Sequence, residues 1–434
     1  MEYCARCLYP KNAKPTIIFD DEGVCSGCRY HESRGQLEID WAEREKMLEQ
    51  ILDEARAMRI ERGNAHDCII PVSGGKDSHY QVWLMKEKYG MNPLLVTFNH
   101  AFNSPSGLRN LSNMVEKSGC DIVRYTSGLD GVKRISRHML ETVGDITWHY
   151  HAGIRTFPFQ VAVAYNIPLI VWGEHGFAEL TGLVSLEDFV EFTRWTRKEH
   201  DMRGIEPHEL IGQGGITEHD IAPYVFPSDD DIAKTDVRGI YVSNFFPWDA
   251  KKQAIDMMDH WDFAGITYER DRTFNLYSKI EDHANDVHDY MKYLKFGYGR
   301  ATDDASMEIR HGRMTREEGI EMVKRYDARE PQTLPMYCDF MGISVDDFYA
   351  LVDPMREQGI WKKTGPGQGK DDWHVQDAVF DHDIGERENA QRVPQSNDRA
   401  LGKQNQALYF NPENPPEKCG DVTLDTFPKK FKVM

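Results

Sequence analysis

A chain of 434 residues, 40% hydrophobic and 28% charged, carries enough apolar material for two or three domains with cores of their own. Asp and Glu outnumber Lys and Arg by 71 to 52, and the net charge of −19 argues against a surface built to grip long nucleic acid. The start, Met1-Glu2-Tyr3-Cys4, lacks the basic and apolar stretches of a signal peptide, and no run approaches the ~20 apolar residues of a membrane span, so a cytoplasmic chain with no membrane partner is expected.

In chain order, residues 1–35 form the first unit. Cys4-x2-Cys7 and Cys25-x2-Cys28 are two knuckles separated by 17 residues, and they hold four of the eight cysteines. Each knuckle offers two sulfurs on one turn, and two knuckles complete a tetrahedron. Zinc is the expected ion; an iron–sulfur cluster would accept the same four thiolates. A closed four-cysteine site leaves no open position, so its role is structural. Residues 38–62 follow with helical spacing, placing Trp41, Met47, Leu48, Ile51, Leu52 and Ala55 on one face.

From residue 66 to about 180, strand and helix patterns alternate. The apolar runs 67–73, 93–99, 121–126 and 167–174 read as strands; 78–89, 107–118, 129–143 and 156–165 read as helices. This alternation predicts an α/β fold with a doubly wound parallel sheet over 36–180, whose ligands sit at the carboxyl ends of the strands. Residues 181–330, rich in charge, aromatics and Gly, read as a substrate or lid region. Within them the aromatic stretch 241–277 suits core or lid better than base stacking. A helical region spans 331–362, with a Thr315-x-x-Glu318 capping box earlier at 315–326 and a helix start at 344–357. Residues 363–434 read as an extended, partly disordered tail.

The segment Val72-Ser73-Gly74-Gly75-Lys76-Asp77-Ser78 joins the first strand to its helix. It is no Walker A loop: Ile70 stands where that motif needs Gly, and Asp77 follows the lysine where it needs Ser or Thr. What remains is a phosphate cradle. Glycines admit an anion to backbone N–H groups, and the helix N-terminus adds positive potential. Ser73 and Ser78 can donate to phosphate oxygens, Lys76 can neutralise charge, and Asp77 can hold a magnesium ion.

This loop resembles the pyrophosphate loop of the N-type ATP pyrophosphatases, whose fold is adenine nucleotide α-hydrolase-like. That likeness implies ATP cleaved to AMP and pyrophosphate. Together with the cysteine knuckles, Trp172-Gly173-Glu174 and the block 293–327, it makes residues 1 to about 360 similar to the N-acetyl sugar amidotransferase family of surface-polysaccharide (lipopolysaccharide, O-antigen) and nonulosonic acid gene clusters. The resemblance implies that an acetamido group on a nucleotide-linked sugar becomes an acetamidino group through an adenylated amide. It also implies ATP, Mg2+ and Zn2+ as cofactors. A separate glutaminase and a barrel-shaped channelling subunit, like the pair in histidine biosynthesis, would supply ammonia. No Gly-x-Cys-x-Gly elbow and no Cys at position 2 offer a glutaminase within this chain.

On this reading Lys76, Asp77, Glu174 and Asp303 act in catalysis, and Val72 to Ser78, Asn99, Gly153 and Arg155 bind the nucleotide. Arg300, Arg310 and His175 meet the anionic sugar. The family tends to have Gly-Glu-Asn where this chain has Gly173-Glu174-His175; if the third residue touches substrate the departure bears on the choice of sugar, and if it only caps the strand end it changes nothing. His100, Asn103, His149, His151, Asp304 and Arg313 are weaker candidates, as readily read as loop, cap or surface residues. The competing function is tRNA thiolation on the same loop. It needs a reactive cysteine nearby, and neither Cys68 nor Cys120 is placed for that.

Overall fold

The computed structural model describes residues 1–36, 39–184, 187–266, 268–367 and 372–375. Five parallel strands form one sheet: β1 (Cys68–Pro71), β2 (Pro93–Asn99), β3 (Ile122–Thr126), β4 (Leu169–Trp172) and β5 (Arg238–Tyr241), in the spatial order β3-β2-β1-β4-β5. The winding reverses between β1 and β4, which opens a crevice beyond their carboxyl ends. Residues alternate between two cores. Cys68, Ile70 and Leu95 join one cluster, while Ile69, Leu94 and Val96 join another on the opposite face. All seven residues of β2 are buried, as expected of a central strand covered on both sides.

The fold class, the first four strands and most of the helices stand where the sequence places them. The sheet, however, does not end near residue 180, because its edge strand β5 lies inside the segment read as a lid. Only four residues long and buried at three of them, β5 carries too little periodicity to stand out.

The helices before the sheet are α1 (Ser26–Gln36) and α2 (Trp41–Arg62), which buries Leu48, Leu52 and Ala55 and leaves Met47 exposed. Within the sheet domain are α3 (Lys76–Trp83), α4 (Pro105–Ser118), α5 (Leu129–Val143) and α6 (Trp148–Tyr165). Helix α3 is shorter than the run 78–89 suggested, because residues 84–88 continue as a π turn. Helix α6 starts eight residues before 156; Pro158 inside it obscures the pattern. After β4 come α7 (Gly176–Thr181) and the short α8 (Arg194–Thr196), α9 (Glu218–Ile221) and α10 (Asp229–Thr235), then α11 (Ala250–Trp261).

The C-terminal part is helical: α12 (Ala284–Phe296), α13 (Arg300–Arg310), α14 (Arg316–Tyr326), α15 (Leu334–Met341) and α16 (Val345–Val352). The Thr315 and Glu318 capping box is present, with each side chain accepting from the other's backbone N–H. The expected tail begins with an antiparallel pair, β6 (Trp361–Lys363) and β7 (Trp373–Val375); residues 368–371 and 376–434 lie outside the described residues.

The cysteine unit docks on this helical part rather than on the sheet. Leu8 N–H donates to Ser306 Oγ at 3.2 Å, Lys14 N–H to the Tyr298 hydroxyl at 2.7 Å, and the Tyr9 hydroxyl to Asp303 Oδ1 at 2.8 Å. The cysteine unit and the segment 298–306 therefore share one wall.

Helix α6 reaches the sheet through Gly153. A Cβ there would stand 2.3 Å from Cε1 of Phe98 on β2. Gly153→Ala should therefore lower stability by about 1–3 kcal/mol in urea unfolding, the cost of overpacking a filled contact. A glycine needed only to admit a phosphate would leave the unfolding midpoint unchanged.

Candidate functional site

The loop after β1 is shaped by close backbone contact. Gly74 has φ +91°, and a Cβ on it would stand 2.6 Å from the Gly107 carbonyl oxygen of α4. Gly75 caps α3 without a side-chain cap bond, so the first N–H groups of that helix are left for another acceptor. Two serines brace the loop from within. Ser78 Oγ accepts from Ser73 N–H at 3.0 Å, and Ser73 Oγ accepts from Gly75 N–H at 3.2 Å.

The loop opens into a cavity of about 870 Å³. Ser73, Gly75, Lys76 and Asp77 form its floor, Glu174 enters from the end of β4, and Glu281, Arg300, Asp303 and Asp304 enter from the C-terminal part. Lys76 is buried, and its Nζ lies 2.5 Å from Asp77 Oδ2. Burial opposes the Lys76 ammonium, yet Asp77, Glu174 and Glu281 hold its pKa above the usual lysine value. Burial, then the Asp77 charge, pushes the Glu174 carboxyl up to about 7. Burial also raises Glu281. Asp77 Oδ1 and Glu281 Oε2 are buried without a hydrogen-bond partner. Such oxygens fit a cation that also takes phosphate oxygens.

Glu281 escapes a reading of the sequence. It follows Phe274–Ile280, a stretch without helix or strand between α11 and α12, and a long irregular segment inside a compact domain is itself a functional signal. Its oxygens lie 3.5 and 3.6 Å from where a Cβ on Gly75 would stand. A second group the sequence does not bring forward is His288. Thr147 Oγ1 donates to Asp145 Oδ1 at 2.8 Å and meets His288 Nδ1 at 2.9 Å, on the same cavity wall as Arg203 and Lys295.

The remaining expected residues divide. Arg300 and Asp303 line the cavity but are committed to partners. Arg300 grips Asp289 through Nε at 3.0 Å and Nη2 at 2.8 Å, and Asp303 accepts Lys292 Nζ on both oxygens at 2.7 Å. Burial works against the Asp303 carboxylate, but Lys292 and Arg300 keep its pKa below the usual value, so it is no poised base. Val72, Gly74 and Ser78 support the loop from behind. Asn99 is buried and ties Ala101 N–H and Asn103 to β3 through Thr126. Arg155 pairs with Asp201 at 3.2 Å and lies 4.8 Å over the Trp172 ring. Buried His175 packs on Tyr241 beside the sheet edge, and burial lowers its pKa to about 4. None of Asn99, Gly153, Arg155, His175 and Arg310 is in the cavity wall.

Arg310 is instead at the cysteines. Its Nη2 lies 3.4 Å from Cys25 Sγ and 3.9 Å from Cys7 Sγ, and Nη1 donates to the Leu180 carbonyl at 2.8 Å. The four sulfurs of Cys4, Cys7, Cys25 and Cys28 are buried and lie within 4.8 Å of one another. Cys25 N–H donates to Cys4 Sγ at 3.2 Å, and Arg6 N–H donates to the same sulfur at 3.4 Å. Donors turned toward sulfur, with a guanidinium behind them, suit thiolates that hold a metal ion.

A parallel sheet with a glycine-rich anion loop at its switch point, closed by a helical C-terminal part, is the class this architecture defines. Residues 268–377 match the family described as LPS biosynthesis protein WbpG-like, C-terminal domain. An uncharacterized protein of Methanocaldococcus jannaschii is 25% identical over 156 residues, covering 33% of this chain; the chain spans 54%, about half, of that relative's length. Similar solved structures include NMN synthetase from Francisella tularensis, with a TM-score of 0.27 and 11% identity over 46% of this chain and 92% of that one. The U34-tRNA thiolase NcsA from Methanococcus maripaludis, with its 4Fe-4S cluster, has a TM-score of 0.23 and 14% identity over 54% of this chain and 71% of its own. No helix among the described residues is long and apolar enough to cross a membrane.

The raised Glu174 carboxyl gives a pH signature. With a folded pKa near 7 against about 4.5 unfolded, its burial costs nothing in acid and destabilises increasingly as pH rises between those values. Glu174→Gln should therefore match the wild type in urea unfolding near pH 4 and exceed it by about 1–2 kcal/mol at pH 8.

Proposed function

We propose that the chain is an ATP-dependent, AMP-forming amidotransferase. It would convert the acetamido group of a nucleotide-linked sugar to an acetamidino group in the biosynthesis of a surface polysaccharide. The observation that carries this reading is one cavity built jointly by the glycine-rich loop and the WbpG-like domain. Ser73, Gly75, Lys76 and Asp77 stand on one side and Glu281, Arg300 and Asp304 on the other. At about 870 Å³ it has room for a nucleotide and part of a second substrate.

The chemistry follows from what an amide lacks. Its carbon is a poor electrophile and its oxygen a poor leaving group. Attack by the amide oxygen on the α-phosphorus expels pyrophosphate and turns that oxygen into part of an AMP leaving group. Ammonia adds to the carbon, gives up a proton, and AMP departs with the oxygen, leaving the amidine. Lys76 and the first-turn N–H groups of α3 stabilise the charge that gathers on the leaving pyrophosphate. Magnesium, held by Asp77, Glu281 and Glu174 with phosphate oxygens, would supply further charge neutralisation. The ammonia would come from a separate glutaminase through a channelling partner.

At the cysteines, the Cys7–Cys25 and Cys4–Cys28 sulfur distances of 3.6 and 3.9 Å match the ~3.8 Å edge of a tetrahedron around zinc at about 2.3 Å. A four-iron cube would hold the sulfurs roughly 6 Å apart. We therefore read the ion as a single structural zinc. For tRNA thiolation the geometry offers little. No cysteine among the described residues lines the cavity, and the Cys338 thiol is buried and pushed up to about 12.

The deciding assay combines the chain with Mg-ATP, ammonium and a panel of nucleotide-linked N-acetyl sugars. AMP and pyrophosphate should form only with the right sugar, whose mass should show one oxygen replaced by NH. Lys76→Met should lower that rate about 10²–10³-fold. ADP as the product would overturn the reading. Metal analysis should find one zinc per chain, lost in Cys25→Ser together with thermal stability. Iron with visible absorption would overturn the zinc assignment instead.

A further inference from the structure

Most cations in the cavity wall are already spoken for. Lys76 pairs with Asp77, Lys292 with Asp303, Arg203 with Asp145 and Arg300 with Asp289, while Lys295 donates to the Gly144 carbonyl. Among the described residues, two ammonium groups in the cavity wall have no hydrogen-bond or ion-pair partner, that of Lys14 and that of Lys279. The backbone at the second is equally unusual. Lys279 has φ +52°, a left-handed conformation that is strained for a side-chain-bearing residue and persists only where its surroundings enforce it.

The surroundings that enforce it are visible. The buried Arg270 guanidinium donates to the Ser278 carbonyl at 2.7 Å, the Lys279 carbonyl at 3.0 Å and the Asn275 carbonyl at 3.2 Å. Asn275 Oδ1 accepts from Tyr277 and Ser278 N–H at 2.9 and 3.0 Å, and Ser104 fixes the far side by donating its own N–H to the Glu281 carbonyl at 2.9 Å. One buried arginine thus holds three backbone carbonyls between residues 275 and 279, in the stretch that sets the Lys279 side chain at the cavity. Two residues on, Glu281 sits against Gly75 of the loop, which sets Lys279 on the wall facing the cradle. Glu174, Glu281 and Asp303 act on it from the surrounding walls, and Arg300 from α13 repels it.

We propose that Lys279 is a second phosphate-binding cation, held by Arg270, that grips the phosphate chain of the nucleotide from the wall opposite the glycine-rich loop. This deepens the reading above and rests on it. The same ammonium could be asked to take the diphosphate of a nucleotide-linked sugar, so the test has an arm for each.

Lys279→Met removes the charge and keeps the bulk; Lys279→Gly removes the charge and relieves the left-handed backbone. Binding of Mg-ATP and of pyrophosphate is measured calorimetrically, alongside KM for ATP and for the sugar and the thermal midpoint. Both variants should bind Mg-ATP and pyrophosphate about ten-fold more weakly or worse. Lys279→Gly should unfold at or above the wild-type temperature, a pairing of lost binding with kept or gained stability that a merely structural lysine would not give. Unchanged binding in both variants would overturn the proposal while leaving an AMP-forming wild type intact. A rise confined to KM for the sugar would overturn it in favour of the acceptor. Weakened pyrophosphate binding in a chain that yields ADP would uphold Lys279 and sink the reaction assigned above.

Discussion

Three backbones meet where they have no room for side chains. Gly74 of the loop passes against the Gly107 carbonyl of α4, and a Cβ on Gly107 would stand 2.5 Å from the Cα of Glu281. The loop, the helix after β2 and the turn before α12 are stacked in contact, glycine against backbone. Loop geometry and Glu281 position are consequently one variable. The WbpG-like domain is part of the anion site and cannot be displaced from the sheet without changing the shape of the cradle.

The cysteine unit serves the same end from the opposite direction. It rests on α12 and α13, and its Tyr9 hydroxyl reaches Asp303, which is also the anchor for Lys292 and a partner of Arg300. The four thiolates are placed to hold one ion, which would add rigidity to a unit this small. Arg310 joins the two, with one nitrogen toward sulfur and another on the carbonyls that end α7. Lys14 and Pro15, which follow the first knuckle, are thereby set in the cavity wall.

What the sequence disclosed and what it hid separate along a physical line. The apolar runs of β1 to β4, the glycines of the loop and the paired CxxC knuckles are signals of composition and spacing, and each lies where it was read. Arg310 was read as meeting the sugar and Asp303 as acting in catalysis, and residue type alone could not show which partners each would take. Whether a guanidinium or carboxylate faces a ligand depends on which opposite charge reaches it first, and that is fixed by contacts near and far along the chain. Lys292 closed on Asp303, and Arg310 lies at the cysteine sulfurs. Glu281, Lys279 and Asp145 were missed for the complementary reason. They lie on irregular backbone, where no period marks a face; the turn carrying Lys279 and Glu281 is held by Arg270 and, from far along the chain, by Ser104, while Asp145 is held locally by Thr147.

The charge balance of the cavity follows from that arrangement. On the proposed reading, a protein with a net charge of −19 admits a polyphosphate without a bare positive surface. Lys76 is surrounded by Asp77, Glu174 and Glu281, so the cradle taken alone is over-supplied with negative charge. Ion pairs fix Lys292, Arg203 and Arg300 in place before a ligand arrives and cost no reorganisation when it does. The excess carboxylate is what a free anion would be repelled by and what an anion carrying a divalent cation would complete. Unpartnered oxygens on Asp77 and Glu281 are open on the metal's side, and the unpartnered ammonium of Lys279 is open on the phosphate's. The site is therefore balanced for the metal–nucleotide complex as a unit, and neither component alone satisfies the groups that line it.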